Sequence, residues 1–262
     1  MNAAIQLTGL TKRFGERVAL NAISATIPTG GITGLVGPDG AGKSTLLRLL
    51  AGLLVPEAGE IRVLGLDPVR EGDALRQRLG YMPQQFGLYE DLSVQENLNL
   101  YADLRGVLEP ERSPTFERLL AFTDLARFTA RPAGKLSGGM KQKLGLACAL
   151  LGTPDVLLLD EPGVGVDPIS RRALWQMVRE LAQGGMTVLW STAYLDEAEL
   201  CDHVLLMADG EVRTSGTPAD LMGAMASRCW LLEAGELDGR ERRALLRRAL
   251  AHPAVMDGAV AG

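Results

Sequence analysis

Histidine, cysteine and lysine are scarce in this sequence, and the shortage limits the chemistry available to the chain. The 262 residues include two histidines, at 203 and 252, three cysteines, at 148, 201 and 229, and only five lysines among 27 basic residues. The cysteines are widely spaced and form no C-x-x-C pair, which indicates reduced thiols and no zinc site. We therefore expect a protein of a reducing compartment, with no disulfide framework.

Long hydrophobic runs and a net positive charge are also lacking. The longest run that is typical of buried structure, LGLACALLG at 144–152, is far shorter than the ~20 residues that a membrane-spanning helix needs. The net charge is −5, so duplex nucleic acid could bind only at a local basic patch. The hydrophobic content of 47% is sufficient for a large core. The sequence therefore predicts a soluble globular chain that can still dock on a membrane protein.

Strand-like and helical patterns alternate along most of the chain, and this predicts an α/β fold with a mainly parallel sheet. A hairpin arm is predicted at 210–216, and the predominantly helical block at about 85–153 predicts an inserted α-helical subdomain. The pattern weakens after residue 226, so 1–226 is predicted as the main domain and 227–262 as a tail or linker. Arg, Leu and Ala alternate in part of this tail, at 239–252, which fits a packed helix, a linker or an amphipathic helix on anionic lipid.

A glycine-rich stretch, GPDGAGKST at 37–45, predicts a phosphate-binding loop because it fits G-x-x-x-x-G-K-[ST] between a strand and a helix. Its glycines allow backbone N–H groups to point to one concave site at the positive end of the following helix. Lys43 can reach the β- and γ-phosphates, and Ser44 can ligate Mg²⁺. The predicted nucleotide-binding residues here are Gly37, Pro38, Asp39, Gly40, Ala41, Gly42, Lys43, Ser44 and Thr45.

Two adjacent carboxylates end a second apolar strand, in VLLLDEPG at 156–163. A buried pair of carboxylates needs a cation or a reaction to compensate its desolvation. In proteins with this phosphate-binding loop, the acidic residue that ends a neighbouring strand faces Mg²⁺. Asp160 is therefore predicted as a metal-side carboxylate, and Glu161 as the general base for an attacking water. The predicted partner of both is Mg-ATP.

A second possible anion site opens at LSGGMKQK, 136–143, where a serine and two glycines precede a helical stretch. Ser137 offers a hydroxyl, and the helix start offers unpaired N–H groups. The motif is common alone, but it is informative between a phosphate-binding loop and LLLDE. The predicted signature residues are Leu136, Ser137, Gly138, Gly139 and Met140.

With these three motifs in this order, the sequence from about 5 to 225 resembles the ATP-binding subunit of an ABC transporter. The resemblance implies a P-loop ATPase core with a mainly parallel sheet, a small antiparallel β subdomain and an inserted α-helical subdomain. It also implies that the signature of one subunit caps the ATP held by another. Phe14 matches the aromatic residue that stacks on adenine, Gln84 the glutamine that reaches Mg²⁺ and the attacking water, and Asp167 the aspartate that faces the dimer partner.

The residues within these motifs resemble in particular those of the first of two tandem ATP-binding domains in YbhF-like bacterial drug exporters. This resemblance implies ATP and Mg²⁺ as cofactors, and membrane permease subunits plus a second ATP-binding domain as partners. That second domain is either another copy of the chain or a missing tandem half. It also implies a cytoplasmic protein that is peripheral on the cell membrane through its permease. The loop QQFGLYEDL at 84–92 is the candidate permease contact.

The sequence departs from the family at LWSTAYLDEAE, 189–199, where Ala193 stands in place of the usual switch histidine. Gly163 likewise stands where Ser or Thr is frequent, and Val166 where Leu is frequent. The missing histidine contacts the γ-phosphate in the family, so we expect this chain to bind ATP well and to hydrolyse it slowly. Losing one such contact costs about 2.7–4 kcal/mol, or about 10²–10³ in rate, when the group is a major stabiliser.

Two other functions are compatible with parts of this pattern. A non-hydrolysing or regulatory ATP clamp is favoured by Ala193 and disfavoured by Glu161. A DNA-maintenance or translation ATPase is disfavoured by the acidic net charge and by the 92 residues between Lys43 and Leu136, too few for a long coiled-coil insertion.

Overall fold

A computed structural model describes residues 3–85, 87–226 and 239–252. Predictions that involve Phe86, Cys229 or the tail outside 239–252 therefore lie outside the described residues. The chain divides into two compact units, Met1–Leu221 and Met222–Gly262. The strands are β1 (Ala3–Phe14), β2 (Arg17–Pro28), β3 (Gly31–Val36), β4 (Ala58–Val63), β5 (Leu79–Met82), β6 (Val156–Asp160), β7 (Thr187–Thr192), β8 (His203–Ala208) and β9 (Glu211–Gly216). The helices are α1 (Lys43–Leu50), α2 (Gly72–Arg78), α3 (Val94–Arg105), α4 (Arg112–Phe122), α5 (Gly138–Ala149), α6 (Pro168–Gln183), α7 (Leu195–Ala198), α8 (Pro218–Ala226) and α9 (Gly239–Leu250).

A six-stranded sheet with the order β5-β6-β7-β3-β8-β9 forms the centre of the first unit. All its strands are parallel except β9, which pairs with β8 as the predicted hairpin. Every residue of β6 and β7 is buried, as expected for parallel strands that are covered on both faces. The predicted mainly parallel sheet is confirmed.

Alternate residues of the central strands supply two cores on opposite faces of this sheet, because successive side chains of a strand point to opposite sides. One core packs the sheet against α3 to α6 and includes Leu157, Leu159, Val188 and Trp190. The other packs it against α1 and the smaller sheet, and includes Leu35, Leu158, Leu189 and Leu205. The central strands of the sheet are thus fixed from both sides.

The smaller sheet is antiparallel, with the order β2-β1-β4, and it matches the predicted antiparallel β subdomain. Helices α3 to α5 lie between β5 and β6 in the chain, within the block that was predicted to be helical. Helix α3 begins with a capping box, in which Ser93 and Glu96 satisfy each other's backbone N–H groups, and it ends at Gly106 in the left-handed conformation. The fold class is therefore confirmed in its three parts.

Two parts of the second unit are described, the end of α8 and helix α9. Helix α9 lies in the tail stretch where Arg alternates with Leu and Ala. Across the described ranges of the chain, no helix has the length and apolar character needed to cross a membrane.

Candidate functional site

The carboxyl ends of three adjacent parallel strands, β3, β6 and β7, meet at one edge of the main sheet. The glycine-rich loop follows β3, Asp160 is the last residue of β6, and Ser191 and Thr192 end β7. In open α/β sheets, ligands bind outside the carboxyl ends of the strands. The fold therefore brings the predicted loop and both predicted carboxylates together.

Two glycines of the loop are required by close approach of neighbouring backbone. A Cβ at Gly37 would lie 2.2 Å from the carbonyl oxygen of Met207, so no larger residue fits. Gly42 has φ +101°, and a Cβ there would lie 2.6 Å from the carbonyl oxygen of Ala19. The Gly37 N–H donates to the carbonyl oxygen of Thr192 at 3.1 Å, which ties the loop to the end of β7. The loop is thus shaped before α1 begins at Lys43.

Lys43 is buried at the base of the loop, and its ammonium group has three oxygen partners. Its Nζ donates to the carbonyl oxygens of Gly37 at 2.8 Å and Pro38 at 3.1 Å. It also lies 3.0 Å from Oε1 of Glu161, in an ion pair whose two side chains are 3% and 8% exposed. The predicted phosphate-binding lysine and the predicted general base are therefore in direct contact.

Asp160 is held from two sides and keeps one oxygen available. Its Oδ1 accepts hydrogen bonds from Ser44 Oγ at 2.9 Å and from Ser191 Oγ at 3.0 Å. Its Oδ2 is buried and has no hydrogen-bond partner. A buried carboxylate oxygen without a partner, beside a hydroxyl of the phosphate-binding loop, fits the oxygen ligands that Mg²⁺ prefers.

Glu161 is the residue on which the contacts of the site converge. Its φ of +49° is uncommon for a residue with a side chain, and such strain is typical of functional positions. The conformation is stabilised because its N–H donates to Ser191 Oγ at 2.8 Å. Its Oε2 accepts from Gln84 Nε2 at 2.7 Å, while Oε1 faces Lys43. A base in this position is oriented by three partners.

The signature serine begins α5, as predicted. Ser137 is the N-cap of that helix, and its Oγ accepts from the Met140 N–H at 3.3 Å. A Cβ at Gly139 would lie 2.4 Å from Ser170 Oγ, and one at Gly138 would lie 3.2 Å from the carbonyl oxygen of Gly165. The signature residues are therefore packed beside the start of α6 and the loop before it. Leu136 is buried, and it holds the motif against the core.

Two residues assigned from the resemblance alone are exposed at the surface of the unit. Asp167 is the N-cap of α6 and accepts from the N–H groups of Ile169 and Ser170 at 3.1 and 2.9 Å. Hydrogen bonds from the side chain and backbone of Ser170 lower the pKa of Asp167. Phe14 ends β1 with half of its surface exposed, and Lys12 Nζ lies 5.3 Å from the centre of its ring.

Ala193 lies in an exposed bend immediately after β7. It carries no group that can donate a hydrogen bond or hold a proton. His203 cannot replace the missing imidazole, because it begins β8 beside Thr33 and so lies towards the amino end of the sheet, away from the site. Ala193, at which the sequence departs from the family pattern, is thus located at the same edge of the sheet as Asp160 and Glu161.

Three residues of the site were not predicted. The hydroxyl of Ser191 donates to the Asp160 carboxylate and accepts from the backbone N–H of Glu161, and the carbonyl oxygen of Thr192 accepts from the phosphate-binding loop. Tyr81 on β5 has a hydroxyl whose pKa is raised by burial and then by the charge of Asp160. A Ser-Thr pair at the end of a buried strand was a sequence signal for the first two, but Tyr81 carries no such signal.

Comparisons with known proteins agree with this geometry. The profile of the ABC transporter family matches residues 20–164. The chain is 60% identical over 263 residues to the probable multidrug ABC transporter ATP-binding protein YbhF of Escherichia coli (strain K12), covering all of this chain and 45% of that protein. It is 40% identical to the daunorubicin resistance ATP-binding protein DrrA3 of Streptomyces coeruleorubidus, covering 84% of this chain and 70% of the relative. The chain thus spans about half the length of the first of these relatives.

Solved structures support the same conclusion. An ATP-binding subunit of an ABC transporter superposes with a TM-score of 0.77 at 30% identity, covering 87% of this chain and 95% of the other. A dimeric post-hydrolysis state of an ATP-binding cassette with ADP and Pi superposes with a TM-score of 0.72 at 28% identity, covering 81% and 98%. The chain belongs to the ABC transporter family, and its first unit is built as the ATP-binding cassette of that family.

Proposed function

We propose that this chain binds Mg-ATP and hydrolyses it slowly, and that the cycle of binding and hydrolysis powers a membrane export permease. The observation that carries the proposal is the buried ion pair of Glu161 with Lys43, beside the buried Asp160, together with the hydrogen bond from the exposed Gln84 to Glu161. Phosphoryl transfer needs positioned charge, a metal ligand and a group that orients water, and these residues supply all three.

Ser44, Asp160 and Gln84 are the residues that would hold Mg²⁺. The bound ion would neutralise charge on the β- and γ-phosphate oxygens. The support for this assignment is the donor set, which consists of a hydroxyl of the loop, a carboxylate with one unpartnered buried oxygen and an amide that contacts Glu161. Each is an oxygen donor of the kind that Mg²⁺ selects.

Glu161 would accept the proton of the attacking water, with Gln84 orienting its carboxylate. Because Lys43 pairs with Glu161, a γ-phosphate that binds Lys43 competes with Glu161 for the same ammonium group. Binding of ATP therefore releases the carboxylate from Lys43 and makes it available as a base. Removing its charge should favour the phosphate, so Glu161→Gln is expected to bind ATP more tightly while losing turnover.

Ala193 is the basis for proposing slow rather than fast hydrolysis. The phosphate-binding loop is complete, whereas the exposed bend after β7 offers only a methyl group to the transition state. A contact that is made only in the transition state changes turnover and leaves ground-state affinity unaltered. The proposal is thus impaired chemistry on an intact binding site.

Ser137 and Asp167 support a composite site formed by two cassettes. Both lie at the start of a helix, α5 or α6, where N–H groups favour an anion or a polar partner. Ile169 beside Asp167 is 81% exposed, so the start of α6 is accessible to a second cassette. We assign Ser137 to the ATP of that partner and Asp167 to the contact between cassettes.

The loop at 84–92 is proposed as the contact with the permease. Asn97, which is fully buried, holds it in shape: its Oδ1 accepts from the Tyr89 N–H, and its Nδ2 donates to the carbonyl oxygens of Tyr89, Leu92 and Ser93. Lys141 of the signature helix donates to Glu90 at 2.6 Å. Movement of this loop would therefore reach α5 directly.

The export role and the domain limits rest on the relatives. YbhF is named a probable multidrug ABC transporter ATP-binding protein and DrrA3 a daunorubicin resistance ATP-binding protein, so a drug-type substrate is proposed here. We propose 1–226 as the nucleotide-binding domain, with its helical subdomain at about 85–153. Residues 227–262 are proposed as a tail or linker, because the alternation of strand and helix patterns weakens after residue 226. A location on the cytoplasmic face of the membrane, through the permease, follows from this role.

A non-hydrolysing clamp is the second candidate function, and Ala193 is the observation that favours it. Steady-state Mg-ATPase turnover of the chain, measured across protein concentration with Glu161→Gln as the blank, separates the two. Turnover that depends on Glu161 and rises more than linearly with concentration supports a composite motor. No turnover above the blank, together with ATP binding, would replace the motor by the clamp.

A further inference from the structure

A buried carboxylate lies outside the phosphate site and has no role in the function proposed above. Glu197 follows the bend at Ala193 and is 5% exposed. Its Oε2 accepts from the indole Nε1 of Trp190 at 2.8 Å, and Trp190 is fully buried in β7. Its Oε1 is buried and has no hydrogen-bond partner. A buried charge of this kind needs compensation, and the compensation comes from another element.

Arg171, in the first turn of α6, supplies the compensating charge. Its Nε lies 3.7 Å from Glu197 Oε1, and its Nη2 lies 3.5 Å from Asp196 Oδ2. The guanidinium also lies over the ring of Tyr194, 5.2 Å from its centre. One side chain of α6 therefore contacts three residues of the segment that follows Ala193. An arginine is suited to this task because its planar group can pair and stack at the same time.

Gly163 provides the space for this arrangement. A Cβ at this position would lie 2.6 Å from Glu197 Oε1 and 3.0 Å from Arg171 Cδ. Its φ lies outside the left-handed region, so the neighbouring side chains, rather than the backbone, require glycine. Gly163, which stands where Ser or Thr is frequent in the family, and the segment after Ala193 are thus parts of one packed cluster.

We propose that Arg171 and Glu197 are positioning residues that transmit movement of α6 to the end of β7. The proposal rests on the function proposed above, in which Asp167 at the start of α6 meets the second cassette. From Asp167 the path runs through Arg171 and Glu197 to Trp190. Trp190 adjoins Ser191, whose hydroxyl holds both Asp160 and Glu161.

The path is short and continuous, which is what coupling between a partner contact and a reaction site requires. Arg171 is bonded through its own N–H to the carbonyl oxygen of Asp167 at 2.9 Å. Trp190 also packs edge-on against Trp175 of α6, with the ring centres 4.7 Å apart. Closure of a second cassette on Asp167 would therefore reorient the carboxylates without any group at position 193.

The first test is a double-mutant cycle on turnover. Arg171→Ala and Gly163→Ala are each expected to lower kcat about tenfold, because misplacements of 1 Å can cost up to about 10² in rate. The dissociation constant of Mg-ATP should stay within about twofold, since no phosphate-binding group changes. The double variant should be no worse than either single variant. Arg171→Lys should recover part of the rate.

The matched control is Gly72→Ala, where an added Cβ meets only Arg76 Nη1 at 3.5 Å, an ordinary contact. It should leave turnover unchanged. Unchanged kcat in Arg171→Ala, or effects of the two alanine variants that multiply in the double variant, would overturn the proposal. Wild-type turnover above the Glu161→Gln blank is measured first, and its absence would count against the proposed ATPase.

A second readout needs no turnover. In a Glu161→Gln, Trp230→Phe chain, addition of Mg-ATP is expected to shift the emission of the Trp175–Trp190 pair, as closure moves α6. Adding Arg171→Ala should reduce the shift at unchanged ATP affinity, because Arg171 no longer carries the movement through Glu197 to Trp190, whereas adding Gly72→Ala should retain it. A shift of full size in the Arg171→Ala chain, or no shift in the parent chain, would contradict transmission along this path.

Discussion

The two ends of the site differ in how deeply their residues are buried and in how short their contacts are. At the phosphate-binding end, Lys43, Asp160, Glu161 and Ser191 are all buried, and their contacts are 2.7 to 3.1 Å long. After β7, Ala193 and the three residues that follow it are exposed, and the ion pairs of Arg171 measure 3.5 and 3.7 Å.

This difference assigns ATP binding and ATP hydrolysis to different parts of the site. Short charge-assisted contacts in a buried site fix a phosphate-binding geometry before ligand arrives, so little reorganisation is needed on binding. The bend after β7 is held indirectly, through α6, and provides no polar group of its own at 193. Affinity for ATP should therefore respond to changes at the first end, and turnover to changes at both.

The largest effect is expected at Lys43. Lys43→Ala should raise the dissociation constant of Mg-ATP about 100-fold, because hydrogen bonds to charged groups contribute about 1.5–3 kcal/mol each. Isothermal titration calorimetry measures this directly. The variant also leaves Glu161 buried without its ion-pair partner, so its thermal unfolding should be followed alongside. Lys135→Ala, at an exposed lysine, is the control; equal affinities of the two variants would contradict a phosphate role for Lys43.

A smaller effect is expected at Ser191, and it should appear in turnover. Ser191→Ala leaves the Glu161 N–H without its acceptor, which should lower the free energy of unfolding by about 1–3 kcal/mol. Displacement of the two carboxylates should lower kcat by up to about 10². Denaturant unfolding and steady-state kinetics measure the two effects. Ser215→Ala, at an exposed serine of the same sheet, should change neither; a normal kcat in Ser191→Ala would remove Ser191 from the account.

The smallest effect is expected at Phe14, whose stacking role comes from the family resemblance. Phe14→Ala should weaken ATP binding about tenfold, since stacking of a base on an aromatic ring contributes about 1–3 kcal/mol. Phe14→Trp should preserve affinity. Because half of the ring is exposed, the midpoint of unfolding should stay close to that of the wild type. Equal affinities for ATP and for ribose triphosphate in the wild type would show that the base is not bound by stacking.

Local motifs predicted the parts of the site that depend on a few consecutive residues. GPDGAGKST and VLLLDEPG each define a strand end and the groups that follow it, so Lys43, Ser44, Asp160 and Glu161 could be placed together from the sequence. The alternation of strands and helices was sufficient for the fold class. β5 was not predicted, because its four residues are too few to show a period.

Contacts between distant elements could not be predicted in the same way. The cluster of Gly163, Arg171 and Glu197 depends on how α6 packs beside the segment after β7, and no spacing in the sequence encodes that distance. The ion pair between Lys43 and Glu161 could not be predicted either. The sequence assigned each of these residues a role in contact with ATP, and it did not indicate that they contact each other. Packing of this kind is determined by the tertiary structure rather than by local pattern.

The most direct test of the central claim, an intact binding site with a weakened transition-state side, is the substitution Ala193→His. Mg-ATP affinity and steady-state kcat should be measured together, with Ala193→Asn as a polar control that lacks an imidazole. We expect kcat to rise by about tenfold or more, up to the 10²–10³ that a major transition-state contact can supply, while the dissociation constant changes less than about twofold. An unchanged or lower kcat at equal affinity would contradict the claim.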